Sequence, residues 1–200
     1  MPPPLTIHDL HSIPQKHLAL ETLSQINRIE RKTFPASEAF DFSDQSLWRR
    51  KPNTRILYAT VSSNDNTTTT ATATATANMN MNMKTPKKPT TTTPTPTIIA
   101  YALYVRQKST ALLHKICVAE PFRGQGVGKQ LLAYVIEQQL RQQERGCLAV
   151  QLWVDEKREA ARRLYGSCGF VEVEGVEDYY GPGRKGVRMV LGLEGLEGDG

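Results

Sequence analysis

The sequence predicts an α/β fold in which a mixed central sheet of about seven strands is flanked by about four helices. Seven short apolar runs are bounded by turn residues, as strands usually are. Longer segments between some of these runs carry apolar residues at helical spacing. The run at 112–118, the amphipathic segment after it and the run at 148–154 form a strand–helix–strand unit, which requires two parallel strands.

The chain has 200 residues, a length that suits one domain, and we expect that domain to span residues 1–193. Residues 62–97 interrupt it with low-complexity sequence dominated by Thr, Ala, Asn and Pro. Such a stretch buries too little apolar area to offset its ordering entropy, so we expect a disordered insertion in a loop between two strands. Residues 194–200 are expected to form a flexible tail.

The first half of the chain is predicted to contain a possible edge strand, a long helix, a short helix and a strand, in the order 5–7, 15–33, 44–50 and 55–61. Apolar residues recur along the long helix at intervals compatible with one buried face. The pair Phe34-Pro35 then ends this helix, because the residue before a proline avoids the helical region. Ser43 suits the N-cap position of the short helix.

The second half begins with a strand at 98–105, which pairs with the strand at 55–61 if the insertion is a hairpin loop. The amphipathic helix of the central unit ends near Gly146, a suitable residue for the left-handed position after a helix. The remaining predicted elements are a strand at 148–154, a helix at 159–166 and strands at 170–174 and 186–193.

Composition and charge exclude several classes of function. The net charge of +5 suits an anionic ligand but is too small and too scattered to predict nucleic-acid binding. The three cysteines lack metal-ligand spacing and read as reduced thiols, so we expect no metal and a cytoplasmic protein, with the nucleus as an alternative. No run approaches the ~18 apolar residues of a membrane span, and no secretory signal is visible. The oligomeric state is open.

A glycine-rich turn lies at 123–129, between a predicted strand and a predicted helix. Its glycines expose backbone N–H groups where the helix begins, and these groups with the helix dipole form an anion site, most naturally for phosphate. A Walker A loop is excluded because Arg123 stands at the first glycine position and Gln130 follows Lys129. The dinucleotide and kinase glycine motifs fail as well, since Lys129 occupies their last glycine position.

The pattern Arg-x-x-Gly-x-Gly, formed by Arg123, Gly126 and Gly128, resembles the acyl-CoA-binding loop of the GNAT superfamily of N-acetyltransferases. The segment from Ala161 to Phe170 looks like the second signature of that superfamily, and the order of elements matches as well. The resemblance implies the GNAT fold, with its sheet splayed between the fourth and fifth strands. The loops at 34–35 and 178–180 look more weakly like those of the ribosomal-protein and protein N-terminal acetyltransferase branch.

The resemblance also implies which residues bind the donor, acetyl-CoA. Backbone groups of Cys117 and Val118 would pair with pantetheine as an added strand does. The pyrophosphate would lie on the N–H groups of the glycine-rich turn, which consists of Arg123, Gly124, Gln125, Gly126, Val127, Gly128 and Lys129. Arg158 stands where the family often has Asn. Two alternatives are open for it: its side chain contacts a CoA phosphate, or it faces solvent.

Acetyl transfer to an amine requires a general acid and a general base. The resemblance makes Tyr165 the candidate acid, which would protonate the leaving thiolate. Some relatives carry a Glu base at the position of Leu112, and His114, two residues later on the same strand face, is the candidate replacement. Phe34, Tyr179 and Tyr180 are expected to line the acceptor side.

The predicted function is acetyl-CoA-dependent transfer of an acetyl group to a primary amine by direct attack in a ternary complex. The acceptor is open between a protein N-terminus and a small-molecule amine. The absent Glu at Leu112 and the Arg at 158 motivate an alternative, a non-catalytic acyl-CoA-binding module.

Overall fold

A computed structural model describes residues 5–49, 53–61, 96–144 and 146–193. These residues form one seven-stranded mixed sheet in the order β1-β2-β3-β4-β5-β7-β6. The strands are β1 (Leu5–Asp9), β2 (Thr54–Val61), β3 (Ile98–Gln107), β4 (Thr110–Val118), β5 (Ala149–Asp155), β6 (Val171–Val176) and β7 (Gly186–Gly192). The longer helices are α1 (Lys16–Thr33), α2 (Val127–Tyr134), which continues as a π-helix over Val135–Arg141, and α3 (Glu159–Ser167).

The predicted α/β architecture is confirmed, with one difference in the first half of the chain. The segment predicted as a short helix at 44–50 contains only a 3₁₀ turn, Gln45–Trp48. Its N-cap is Asp44 rather than Ser43, since the Asp44 side chain accepts a hydrogen bond from the N–H of Ser46. The predicted insertion and tail fall almost wholly outside the described residues.

Strands β2 and β3 form the antiparallel pair that a hairpin requires. Their register runs from Thr54 opposite Val105 to Thr60 opposite Ile98. The two strand ends that flank the predicted insertion are therefore neighbours in the sheet. An insertion between such ends adds chain without separating the strands that it connects.

The sheet opens between β4 and β5. Only the first three residues of β4, Thr110 to Leu112, pair with β5 in parallel register. Beyond them β4 stays paired with β3 and β5 stays paired with β7, so the two strands diverge. The splay expected between the fourth and fifth strands is confirmed. It leaves one edge of β4 without a strand partner within the described residues.

A β-bulge interrupts β4 at this opening. Leu103 of β3 lies opposite Lys115, whereas the next residue, Tyr104, lies opposite Leu113, so His114 is the extra residue. Side-chain alternation is broken at this point. Two-residue spacing therefore does not by itself fix the face of His114 relative to Leu112, and both residues line the opening of the sheet.

Two apolar clusters cover the faces of the sheet. One lies against α2 and its π-helical continuation and includes Leu131, Val135 and Leu113. The other lies against α1 and includes Leu23, Ile26 and Tyr101. Full burial of each large aliphatic side chain contributes roughly 1.5–3 kcal/mol to stability. Helices on both faces thus hold the sheet while its splayed end stays open.

Candidate active site

A cavity of about 840 Å³ occupies the opening between the diverging strands. One wall is β4 from Leu112 to Val118, whose edge is unpaired beyond Leu112, and the opposite wall is the end of β5 with the start of α3. Phe34 and Glu38 line it from the loop after α1, and Tyr179 and Tyr180 line it from the loop between β6 and β7. The cavity is therefore bounded by a rigid sheet on two sides and by loops at one end.

The glycine-rich turn forms the start of α2 at the other end of β4. Gly124 and Gly126 have φ values of 72° and 78°, in the left-handed region that glycine adopts without strain. The first helical hydrogen bond runs from the N–H of Gln130 to the carbonyl of Gly126. The helix leaves unused the N–H groups of the three residues between them, which can bind an anion as predicted.

Gly128 allows close packing at the same turn, because it has no side chain. A Cβ atom at this position would lie 3.3 Å from Cδ2 of Leu164 and 3.5 Å from Cγ2 of Val118. The absence of a side chain thus lets α2 begin close to both α3 and the end of β4. Such an approach keeps the free N–H groups at a fixed distance from the unpaired strand edge.

The side chain of Arg123 points toward the end of β4. Its Nε donates to the carbonyl of Val118 at 3.0 Å, and Nη2 donates to the Thr33 hydroxyl at 3.2 Å. The side-chain amide of Gln125 donates to the carbonyl of Pro121 at 2.9 Å, which tightens the turn. Lys129 is exposed at the helix start. Both cations of the turn thus lie within the region expected to bind the donor.

Cys117 and Val118 lie on the unpaired edge, where the sequence predicts backbone contacts to pantetheine. The Cys117 thiol is buried and lies 3.4 Å from the Thr33 hydroxyl. Burial raises the pKa of this thiol, so it stays protonated and is not a nucleophile. Cys117 therefore offers its backbone, in keeping with the predicted role.

Tyr165 lies on α3 and contributes its buried ring to the cavity wall, packed on Phe170. Within the described part of the chain, no residue hydrogen-bonds its hydroxyl. Burial raises the pKa of Tyr165, and the nearby Tyr180 raises it further while Arg158 opposes the shift. The phenol therefore keeps its proton at neutral pH. A protonated, unpaired hydroxyl in a cavity is suited to donate to a leaving group.

His114 lines the same cavity at the bulge of β4. Burial lowers the pKa of His114 below its ordinary value, and the positive charge of Lys115 lowers it further. The imidazole is therefore neutral at pH 7. A neutral imidazole can accept a proton, as the predicted role of general base requires.

An ion-pair network closes the loop end of the cavity; we call it the acceptor-end bridge and define it by Glu38, Asp155, Arg158 and Arg184. Glu38 accepts from Arg158 and from Arg184, both at 2.6 Å. Arg184 also lies 2.5 Å from the buried carboxylate of Asp155. The bridge joins the loop after α1, the end of β5, the start of α3 and the β6–β7 loop.

Aromatic rings line both sides of the acceptor end. Trp153 stacks on Tyr179 with ring centroids 4.3 Å apart, and Tyr179 meets Tyr180 edge to face at 4.9 Å. Burial raises the pKa of Tyr180 to about 12, so its hydroxyl is neutral. On the other side, the guanidinium of Arg158 lies 5.0 Å from the ring centre of Phe34. The three aromatic residues predicted for the acceptor side thus all line the cavity.

A buried carboxylate supports the loop that carries Phe34. Glu30 of α1 has no exposed surface, and its carboxylate accepts from the N–H of Phe40 at 2.7 Å and from the Tyr101 hydroxyl. Lys115 lies 3.0 Å from this carboxylate. Because an unpaired buried charge is costly, this cluster holds the loop firmly against β4.

Sequence reasoning missed Glu30, Glu38, Lys115, Trp153 and Arg184. One signal was available for Glu30, a carboxylate four residues after Ile26 on the apolar face of a predicted helix. No local pattern distinguishes Glu38 or Arg184 from surface charges, since they lie 146 positions apart in the chain. Contacts at that separation become visible only when the loops are placed together.

The described residues hold neither a grouped set of metal ligands nor a helix suited to cross a membrane. In the described ranges, no three His, Cys, Asp or Glu side chains are grouped as a metal site would need. None of the helices in those ranges combines the length and the apolar character that a membrane crossing requires. The thiols of Cys117, Cys147 and Cys168 are all free.

Solved structures with the same fold include three acetyltransferases. The ribosomal-protein-S18-alanine N-acetyltransferase of Escherichia coli superposes with a TM-score of 0.63 at 19% identity, over 98% of each chain. NAA60 of Arabidopsis thaliana, solved with a bisubstrate analogue, has a TM-score of 0.63 at 14% identity, over 94% of this chain and 98% of its own. The spermidine/spermine N-acetyltransferase SpeG of Vibrio cholerae has a TM-score of 0.61 at 14% identity, over 94% and 92%. At these identities the superpositions establish the fold.

Sequence comparison gives the family. The N-alpha-acetyltransferase MAK3 of Arabidopsis thaliana is 29% identical over 86 residues, which are 43% of this chain and 44% of that relative. The match thus spans less than half the length of the relative. A sequence model of the acetyltransferase (GNAT) family matches residues 23–170, a range that contains the glycine-rich turn, the unpaired edge of β4 and Tyr165. The chain therefore belongs to the GNAT family of acetyltransferases.

Proposed function

We propose that the protein is an acetyl-CoA-dependent N-acetyltransferase that acetylates a primary amine by direct attack in a ternary complex. The observation that carries the proposal is the single cavity that joins the unpaired edge of β4, a protonated Tyr165 and a neutral His114. The glycine-rich turn stands at one end of that edge, and the aromatic loops stand at the other. Donor and acceptor can therefore meet between the two ends.

Acetyl-CoA fits the donor side of this arrangement. The free N–H groups at the start of α2 suit the pyrophosphate, and the backbone of Cys117 and Val118 suits the amide groups of pantetheine. NAA60 of Arabidopsis thaliana has been solved with acetyl-CoA, and that protein shares this fold with a TM-score of 0.63. Acetyl-CoA is thus the donor that family membership and the cavity together support.

The cavity residues account for each proton in the reaction. The amine nitrogen attacks the thioester carbonyl, a C–N bond forms and the C–S bond breaks. His114 accepts the proton that the amine loses, directly or through water. A backbone N–H near Val118 polarises the thioester carbonyl, and Tyr165 donates its proton to the departing thiolate. Proton exchange with water returns both side chains to their starting states.

The acceptor is a peptide N-terminus or a small-molecule amine. By their names, MAK3 acetylates an α-amino group and the Escherichia coli enzyme acetylates a ribosomal protein, whereas SpeG acts on spermidine and spermine. The loops that hold Phe34, Tyr179 and Tyr180 are where the acceptor would bind. The free cysteines suit a reducing compartment, and we propose the cytoplasm.

Release of free CoA thiol, followed with DTNB, tests the proposal on N-terminal peptides, polyamines and arylalkylamines. We expect turnover that requires both acetyl-CoA and an amine, with the acetylated amine confirmed by mass spectrometry. In thermal-shift experiments, acetyl-CoA should stabilise the protein more than ATP does. Binding of acetyl-CoA without turnover on any amine would contradict the enzymatic part of the proposal, and preferential stabilisation by ATP would contradict the donor.

A non-catalytic acyl-CoA-binding module is the second candidate. The observation that favours it is the acceptor-end bridge, which engages Glu38 and Asp155 and leaves neither free to act as a base. Tyr165→Phe separates the two functions. An enzyme should lose turnover and keep its affinity for acetyl-CoA, whereas a binding module has no turnover to lose.

A further inference from the structure

The ionisable residues that line the cavity carry an excess of positive charge. Four cations line it, and the two lining carboxylates belong to Glu38 and Glu159. His114 adds no charge at neutral pH, since burial lowers its pKa. The lining cations are Lys115, Arg123, Lys157 and Arg158. Lys115 pairs with the buried Glu30 and Arg123 lies at the donor end, so Lys157 and Arg158 are the lining cations nearest the loop end of the cavity.

The carboxylates near the acceptor end are already bound to cations of the protein. Glu38 pairs with Arg158 and Arg184, and Asp155 pairs with Arg184. Glu159 pairs with a neighbour on its own helix, Arg163, at 3.1 Å. A second ammonium group on the acceptor would have to break one of these pairs. The site is thus poorly suited to a polyamine.

Arg158 is the cation best placed to bind a negative group of the acceptor. Its side chain lines the cavity, is 36% exposed and lies close enough to Tyr165 for its charge to lower the pKa of that phenol. The ring of Phe34 holds its guanidinium at the cavity wall. If Arg158 releases Glu38, Arg184 still holds that carboxylate. Exchange of one partly hydrated ion pair for another costs little.

Building on the proposed acetyltransferase function, we propose that Arg158 binds an acidic group of the acceptor in exchange for Glu38. The acceptor is then a peptide N-terminus with Asp or Glu at its first or second residue, because Arg158 lies near the reacting centre. Trp153 and Tyr179 provide an apolar wall beside it. Arg158 is thus a specificity-determining residue, and polyamines are poor substrates.

The test compares kcat/KM for peptides that differ only at the second residue, which is Asp, Asn or Lys, with spermidine as the small-molecule acceptor. We expect Asp to exceed Asn by about tenfold, the effect of one charge-assisted hydrogen bond, with Lys and spermidine lower still. Arg158→Gln should bring the Asp/Asn ratio close to one, and Arg158→Glu should favour Lys. These ratios do not depend on the fraction of folded protein.

Arg162→Gln is the matched control. Arg162 lies on the same helix, forms an ion pair of 2.6 Å with Glu172 and has a side chain of similar exposure, but it does not line the cavity. It should leave the Asp/Asn ratio unchanged. Arg158 makes no side-chain capping hydrogen bond at the start of α3, so its replacement removes no helix cap.

The other outcomes distinguish failure of this inference from failure of the proposed acetyltransferase function. Spermidine or the Lys peptide acetylated as well as the Asp peptide would overturn the inference and leave the acetyltransferase function standing. Arg158→Gln that raises KM for acetyl-CoA equally with every peptide would assign Arg158 to the donor instead. Absence of turnover with every amine would contradict the proposed function itself.

Discussion

Tyr165 and His114 line one cavity, and their pKa values are displaced in opposite directions by the same cause. Burial disfavours the charged form of each side chain, so it raises the pKa of the phenol and lowers the pKa of the imidazole. Both groups are neutral at pH 7. The first holds a proton that it can donate, and the second has a free nitrogen that can accept one. Burial thus leaves a proton donor and a proton acceptor in one cavity, as the proposed mechanism requires.

Replacement of Tyr165 by Phe should remove the proton donor and little else. We expect kcat to fall by about 10²–10⁴, the usual contribution of one general acid, with the affinity for acetyl-CoA unchanged in isothermal titration. Tyr104→Phe is the control, because its buried hydroxyl has no hydrogen-bond partner among the described residues and lies outside the cavity. Equal turnover by Tyr165→Phe and the wild type would exclude Tyr165 as the acid.

The pH dependence of kcat/KM should show whether His114 acts as the general base. The acceptor amine must lose one proton, so log kcat/KM rises with pH at a slope of about one below the amine pKa of about 8. Because His114 has a lowered pKa, it stays neutral as the pH falls through 6.5 and becomes protonated only below that value.

The slope should therefore steepen to about two at a pH below the ordinary histidine pKa of about 6.5. In His114→Gln the slope should stay near one over the whole range, and the rate at neutral pH should fall by about 10². His17→Gln replaces an exposed histidine of α1 and should behave as the wild type does. A second slope that persists in His114→Gln would assign the base to another group.

At the scale of elements, the start of α2 and the unpaired edge of β4 together form the region that we propose binds acetyl-CoA. The sequence reveals the first, because three glycines in five residues have few structural uses before a helix. The sequence does not reveal the shape of β4, because the bulge at His114 arises from the register between β3 and β4. From the sequence of one strand, we can assume only that its side chains alternate regularly between the two faces of the sheet. The glycine-rich turn at the start of α2 was therefore predictable, and the bulge in β4 at His114 was not.

Gly128→Val should disturb both elements at once. The first side-chain atom would already lie 3.3 Å from Leu164 and 3.5 Å from Val118, and the two methyl groups of valine need more room. We expect a loss of about 1–3 kcal/mol in the free energy of unfolding, as overpacking usually causes, and weaker binding of acetyl-CoA.

Urea denaturation and titration with acetyl-CoA would measure the two effects. Gly166→Ala is the control, since this exposed helical glycine has open space around it and alanine should stabilise the helix by up to about 1 kcal/mol. Unchanged stability and affinity in Gly128→Val would mean that α2 does not rely on this close approach.

At the scale of the whole molecule, the strand ends that flank the predicted insertion lie at the end of the sheet where β4 meets the glycine-rich turn, since Ala100 of β3 pairs with Val118 and the N–H of Ala119 donates to the carbonyl of Ile99. β2 and β3 pair up to Thr60 and Ile98, directly beside the ends of the low-complexity segment. The cavity lies between β4 and β5 and is lined by none of the residues of β2 or β3. We propose that the segment is an insertion in a hairpin of a single domain and takes no part in acetyl transfer.

Replacement of residues 62–97 by a four-residue glycine-rich turn tests this domain proposal. Activity should be retained, and the free energy of unfolding should rise by up to about 2 kcal/mol, since each halving of a loop recovers roughly 0.6 kcal/mol of closure entropy. A chain with the segment scrambled at constant composition serves as the control. Loss of turnover in a shortened chain that still folds would give the segment a role in function.

The sequence by itself determined the order of the strands and helices, the glycine-rich turn and the place of Tyr165 on α3. These are local patterns, and each depends on residues that lie within one or two elements of each other. Only the tertiary structure decided how the acceptor end is built. Glu38, Arg158 and Arg184 meet across separations of up to 146 residues, and the bulge at His114 follows from pairing with a second strand. Ion pairs between distant loops leave no periodic signal in a sequence, so the charged groups that we propose to select the acceptor could be seen only in the folded chain.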